Sequence, residues 1–354
     1  MTSIVYPTTN LKHVEQLNIV RGDGVYVYDD SGKEYLEGLA GLWCASLGYG
    51  NAELIEAITD QLKTLSYSHM FGGRTHNVVI QLAEQLSEML PVKNSKIFFA
   101  NSGSEANDSH IKMLRYYFNV TGEPQKKKII ALERSYHGVT VASAALTGLP
   151  ANHTHFDLPV DALGVIRAES PHYYRGRKDN ETEREFCERI IGNLEDLILR
   201  ENPETIAAFV AEPIGGASGV VVAPENYFPE VENLLTKYDI MLWSDEVICG
   251  FGRTGSPFGC QTMGFNPQLV SLAKQLSSAY LPISASVIPE YMHEAMIEPS
   301  SKVGVFGHGY TYTGHPAACA AALKTLEIYK RDNLFEHAAE MGEYLQTRLK
   351  EFDS

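Results

Sequence analysis

Residues 239–274 read DIMLWSDEVICGFGRTGSPFGCQTMGFNPQLVSLAK. The apolar run Ile240-Met241-Leu242-Trp243 ends in the acidic pair Asp245-Glu246, and a second apolar run, residues 269–273, ends in Lys274. Glycines 250, 252, 255 and 259 lie between them. Short apolar runs bounded by turn residues suit strands buried on both faces of a sheet. Each run delivers one ionisable residue to a strand end, and in open α/β sheets ligands bind outside the carboxyl ends of the strands. Asp245 and Lys274 are therefore expected to reach the same small molecule.

Outward from this stretch, β-rich runs at 96–100, 128–132, 205–211 and 283–288 alternate with helical periodicity. That alternation predicts βα units and a mainly parallel sheet with helices on both faces. Apolar residues at helical spacing mark 52–65 and 77–90, and 20–43 reads as a β-hairpin turning at Asp29-Asp30-Ser31-Gly32. Residues 150–182, rich in Pro, His and Tyr, read as a long surface excursion. At 354 residues the chain exceeds the roughly 250–300 at which one core stops growing. The expected division is an N-terminal segment (1–60) belonging to a small domain, a large domain (61–315), and the start of a C-terminal part of the small domain (316–354). The last helix pattern stops at EFDS with no following strand, so the rest of that small domain is expected beyond residue 354.

Forty-four acidic against 29 basic residues give a net charge of −15, which repels phosphate backbones and anionic lipid. Nucleic-acid and membrane partners are thereby disfavoured. Lys126-Lys127-Lys128 reads as a solvated turn. The five cysteines show no metal spacing and read as buried free thiols, the start carries no secretory signal pattern, and a cytoplasmic location is expected.

Ile97-Phe98-Phe99-Ala100 is a strand pattern, and Asn101-Ser102-Gly103-Ser104-Glu105-Ala106-Asn107 opens a helix. Small residues at such a turn let backbone N–H groups approach a phosphate at a helix N-terminus; Ser104 could equally be a plain N-cap. No GxxxxGK[ST] loop exists, so a magnesium-holding acid at Asp245 loses its usual partner. The alternative is a carboxylate held against a protonated ring nitrogen. A lysine beside such an acid and a phosphate site suits a Schiff base to an aldehyde carrying both groups, which is pyridoxal phosphate. Tyr136 could stack on a flat ring or pack in the core, and Trp43 could pack or line a pocket. The loop 308–316 (HGYTYTGHP) could add a phosphate donor, and no metal site is assigned.

The motifs GLWCASLGYGN (41–51), FFANSGSEAND (98–108), YHG (136–138), AEPIGGASG (211–219), SDEVICGFGRTG (244–255), AKQLSSAYLPISA (273–285) and HGYTYTGHP (308–316) together resemble the class III (ω-) aminotransferases. These are fold-type I pyridoxal phosphate enzymes, and the resemblance is closest to the amine:pyruvate and β-alanine:pyruvate subgroup. It implies that Lys274 forms the Schiff base and shuttles the proton, while Asp245 keeps the ring nitrogen protonated. Val247 and Tyr136 would flank the ring, with His137 and Glu212 also at the cofactor. Gly103 and Ser104 would hold the phosphate, and Thr311, with Tyr310 beside it, would reach the phosphate of a neighbouring subunit in a homodimer. Trp43, Tyr136, Ala217 and Ile248 would line the substrate pocket. Members using glutamate, ornithine or 4-aminobutyrate carry a second glutamate where this chain has Ala217, which points to pyruvate as acceptor. The carboxylate-binding arginine of the family has no counterpart in these residues, and Gln275 stands where many members have glycine. The same machinery also serves aminomutases and decarboxylases; a non-catalytic phosphate-ligand binder is the reading from another class.

Overall fold

The computed structural model describes residues 3–352. Strands β1 (Ile19–Asp23), β2 (Tyr26–Asp29) and β3 (Glu34–Leu36) form an antiparallel N-terminal sheet. The β2–β3 pair is the expected hairpin. Asp29 closes its turn: Oδ1 accepts the N–H groups of Ser31 (2.9 Å) and Lys33 (3.0 Å), and Oδ2 accepts the Tyr35 hydroxyl (2.8 Å).

Seven strands build the main sheet. In chain order they are β4 (Lys96–Ala100), β5 (Lys128–Leu132), β6 (Val165–Ala168), β7 (Ile206–Ala211) and, after a two-residue ribbon of β8 (Ile214–Gly215) and β9 (Val221–Val222), β10 (Met241–Asp245), β11 (Leu269–Leu272) and β12 (Ser284–Ile288). Their order across the sheet is β4-β12-β11-β10-β7-β5-β6, and only β12 runs antiparallel to its neighbours. Side chains alternate between the faces. Phe209, Leu242 and Val270 enter one apolar cluster with helices Asn77–Met89, Glu183–Glu201 and Pro316–Arg331. Val210, Trp243 and Leu269 enter another with helices Gly103–Val120 and Glu290–Val303. Phe209 is fully buried, a gain of roughly 1.5–3 kcal/mol over exposure. Both faces of the central strands are thus covered, which is why they read as continuous apolar runs.

Register places the site. Ser244 on β10 pairs with Ala211 on β7, and Asp245 with Ser271 on β11. Glu212, Asp245 and Lys274 therefore emerge together at the carboxyl edge of three adjacent parallel strands.

Three local expectations change. The segment 150–182 contains β6, an edge strand whose Arg167 guanidinium donates to the carbonyls of Ala145 (2.5 Å), Leu146 and Thr147 (2.8 Å). Lys126 is buried instead of solvated: its ammonium donates to the Asp239 carbonyl at 2.8 Å and pairs with the carboxylates of Glu123 (3.3 Å) and Asp239. The N-cap of helix Gly103–Val120 is Ser102, whose Oγ accepts the Glu105 N–H at 3.2 Å, and not Ser104. No described helix is long and apolar enough to cross a membrane.

Candidate active site

A cavity of about 340 Å³ opens at this strand edge, lined by Gly103, Ser104, Asn107, Tyr136, His137, Gly138, Glu212, Asp245, Val247, Ile248 and Lys274, among others. Its floor is Asp245. Oδ2 accepts from the Asn107 amide at 2.9 Å and from His137 Nδ1 at 2.8 Å, and Oδ1 accepts the Val247 N–H at 3.2 Å. Burial pushes the Asp245 carboxyl up, but the His137 ring, the Asn107 amide and the Val247 N–H outweigh it and hold it below its ordinary value. The carboxylate therefore stays ionised while almost out of water.

Glu212, one strand over, accepts the N–H of Tyr136 (2.9 Å) on Oε1 and of Gly216 (3.1 Å) on Oε2. Burial, with the negative Asp245 nearby, pushes it up to about 7 against the opposing His137 and backbone donors. Burial lowers the Lys274 amine, opposed by Asp245 and Glu212. Glu246, the other half of the acidic pair, turns away: it accepts the N–H groups of Gly259 and Cys260 (2.8 Å each) and the Ser244 hydroxyl (3.0 Å). It anchors the glycine-rich loop and leaves Asp245 as the acid of the cavity.

The cavity also takes in the N-terminus of helix Gly103–Val120, whose first-turn N–H groups and positive dipole end favour an anion. A Cβ on Gly103 would stand 3.0 Å from Val247 Cγ2, and one on Gly138 (φ +128°) only 2.5 Å from Ser104 Oγ. Ser104 Oγ also accepts the Val139 N–H at 3.0 Å, tying the two loops together.

Thr311 and Tyr312 are exposed, and Tyr310 is half-buried with its hydroxyl 3.1 Å from the Glu105 carbonyl. Neither Thr311 nor Tyr310 lines the cavity; nor do the half-buried Trp43 and the exposed Ala217. Cys44, next to Trp43, does line it. Sequence reasoning missed Asn107 and the His137–Asp245 bond. Asn107 lies four residues beyond Gly103, so helical spacing put it on the same face; nothing local announced the His137 contact.

A lysine and two acids at neighbouring strand ends, facing a small-residue turn at a helix N-terminus, on a mainly parallel seven-stranded sheet, define the fold-type I pyridoxal phosphate enzymes. The chain belongs to the class-III aminotransferase family, whose family model matches residues 8–354. A gamma aminobutyrate transaminase from Solanum lycopersicum is 49% identical over 340 residues, covering 96% of this chain and 65% of that protein. A vanillin aminotransferase from Capsicum chinense is 48% identical over 340 residues, covering 96% of this chain and 74% of its own length. The crystal structure of the omega transaminase from Pseudomonas jessenii in complex with PMP superposes with a TM-score of 0.97 at 48% identity, over 99% of this chain and 78% of that one. The chain thus spans between 65% and 78% of the length of these relatives.

Class-III aminotransferases use pyridoxal phosphate. The residues fit that group: Asp245 lines the cavity, and its Oδ1, which accepts one N–H, has lone-pair capacity left for a ring N–H, while Gly103 and Gly138 carry no Cβ to crowd the helix N-terminus.

Proposed function

We propose that this protein is an ω-aminotransferase that moves an amino group from a primary amine or ω-amino acid to pyruvate, in two alternating half-reactions at one site. The observation that carries the reading is the convergence of Lys274, Asp245 and the Gly103–Ser104 turn on one cavity. Bound pyridoxal phosphate supplies an aldehyde for an amine to join and a ring that takes up electrons when a Cα–H bond breaks. Lys274 Nζ, its amine lowered by burial, takes the proton from the donor Cα and returns it. Asp245 holds a ring N–H against its ionised carboxylate. The N–H groups of Gly103 and Ser104, with the Ser104 hydroxyl, hold the phosphate. Tyr136 and Val247 would bound the ring on its two faces, His137 and Glu212 fix Asp245 and the Tyr136 loop, and Ile248 would wall the amine side, with Trp43 and Ala217 further out.

The exposed Thr311 supports assembly as a homodimer in which that residue reaches the phosphate of the other subunit. Ala217 supports pyruvate as acceptor. The names of the tomato and pepper relatives make 4-aminobutyrate and aromatic aldehydes' amines donors to test. A cytoplasmic location remains part of the proposal.

The test uses full-length protein loaded with cofactor, an amine donor panel (1-phenylethylamine, benzylamine, β-alanine, taurine, 4-aminobutyrate, ornithine) and either pyruvate or 2-oxoglutarate. The reading predicts alanine formed in equimolar amount to pyruvate consumed, with the yellow absorbance lost on adding donor and regained with pyruvate. Carbon dioxide release or an isomerised product in place of alanine would make it a decarboxylase or aminomutase.

A further inference from the structure

The turn that presents Lys274 is held in an uncommon backbone. Ala273 is fully extended, and then Lys274, Ser278 and Ala279 have φ of +49°, +48° and +66°. Non-glycine residues stay in this region only where their surroundings over-determine them. Gln275 lies inside that turn, and its backbone carbonyl and its side chain hold different neighbours. Its side chain is buried, and Nε2 donates to the Gly250 carbonyl at 3.0 Å and toward the Ile248 carbonyl at 3.5 Å. Its own carbonyl accepts the Tyr329 hydroxyl at 2.9 Å and the Ser278 N–H at 3.2 Å. Tyr329 also bonds Ser46 Oγ, and Ser278 Oγ accepts the Leu47 N–H at 2.9 Å. One residue therefore joins the lysine turn to the loop after Asp245 and, through Tyr329, to the segment beside Cys44.

That loop carries a pocket wall. Ile248 lines the cavity, and its Cδ1 fills the space beside Gly216, where a Cβ would stand 2.6 Å away. A donor bridging the carbonyls of residues 248 and 250 fixes how far this wall stands from the lysine turn.

We propose that Gln275 is a positioning residue that sets the Ile248 wall relative to Lys274, and so the size of amine the pocket accepts. The inference rests on the cavity being the amine site. Gln275 touches neither reacting atoms nor donor; it acts through Ile248.

The experiment compares full-length holoenzyme as wild type, Gln275→Met, Ile248→Ala and the double variant, with 2-aminobutane and 1-phenylethylamine as donors to pyruvate. Methionine keeps the volume and removes the N–H donor. The expected result is a change of about tenfold in KM for 1-phenylethylamine, with kcat and the 2-aminobutane KM within about twofold of wild type. In the Ile248→Ala background the same substitution should change KM less than about twofold, because coupled residues are not additive. Equal changes for both amines, or an undiminished effect without the Ile248 side chain, would overturn the proposal and leave Gln275 a purely structural tie. If Gln275→Met gives no soluble protein, Gln275→Asn, one methylene shorter, carries the same comparison. Wild-type enzyme that forms no alanine from any amine refutes the parent reading; active wild type with unchanged discrimination in the variants refutes this inference alone.

Discussion

His137 Nδ1 stands 2.8 Å from Asp245 Oδ2, with the imidazole and the carboxylate both out of water. A carboxylate offers only lone pairs, so the ring carries its proton on Nδ1 and donates. Asn107 reinforces the pair: its amide donates to the same Asp245 oxygen and, at 2.6 Å, to the His137 carbonyl. Three elements thus converge to keep one buried acid ionised: helix Gly103–Val120, the loop after β5, and the end of β10.

Replacing Asp245 with asparagine keeps the shape and removes the charge. The expected loss in kcat is about 10²–10³-fold, the scale of a preorganised electrostatic contact. Near-native circular dichroism should accompany it. Steady-state alanine formation checks the first expectation, and activity within tenfold of wild type would dissociate Asp245 from the chemistry.

Glu212 makes stability depend on pH. Its carboxyl is pushed up to about 7 from an ordinary 4.5, chiefly by burial. The folded protein therefore holds this proton at pH values where the unfolded chain has lost it. Its contribution is complete below about pH 4.5, falls as pH rises toward 7, and is flat above. Glu212→Gln removes the titration, so its melting temperature relative to wild type should rise across that window and level off above it. Thermal melts at half-unit pH steps decide this; a constant difference between the two proteins would contradict it.

Gly138→Ala tests the close approach of two loops. The added Cβ meets Ser104 Oγ and Ser143 Oγ at 2.5 Å each and requires φ +128° of an alanine. A destabilisation of roughly 2–4 kcal/mol is expected from strain and overpacking together. Gly32→Ala is the control: φ is +84°, but nothing stands within 4 Å, so backbone strain alone applies, about 1–2 kcal/mol. Urea titrations of both variants measure the difference, and equal losses would mean that Gly138 is needed only for its backbone angle.

The central strands were legible because burial on both faces leaves an uninterrupted apolar run. For 96–100 and 128–132 the expected and observed strands coincide, and for β10 and β11 only the ends shift. β6 was not legible: it is four residues at the sheet edge, and Arg167, which breaks its apolar pattern, is spent on the carbonyls of residues 145–147. Nor could composition show that Lys126, alone of three adjacent lysines, folds inward, since that depends on Asp239 arriving from 113 residues away. That Asp245, Lys274 and the Gly103–Ser104 turn would meet at one cavity was readable from strand ends and small residues. The bonds from His137 and Asn107 to Asp245, and the tie from Gln275 to residues 248 and 250, join segments distant in sequence. Only the sheet register brings those together.

The most direct test is to load the full-length protein with pyridoxal phosphate, reduce it with borohydride, digest it and locate the pyridoxyl group by mass spectrometry. The site described here predicts one modified residue, Lys274, and no incorporation in Lys274→Ala. Stoichiometric labelling of any other lysine, or unchanged labelling in that variant, would contradict it.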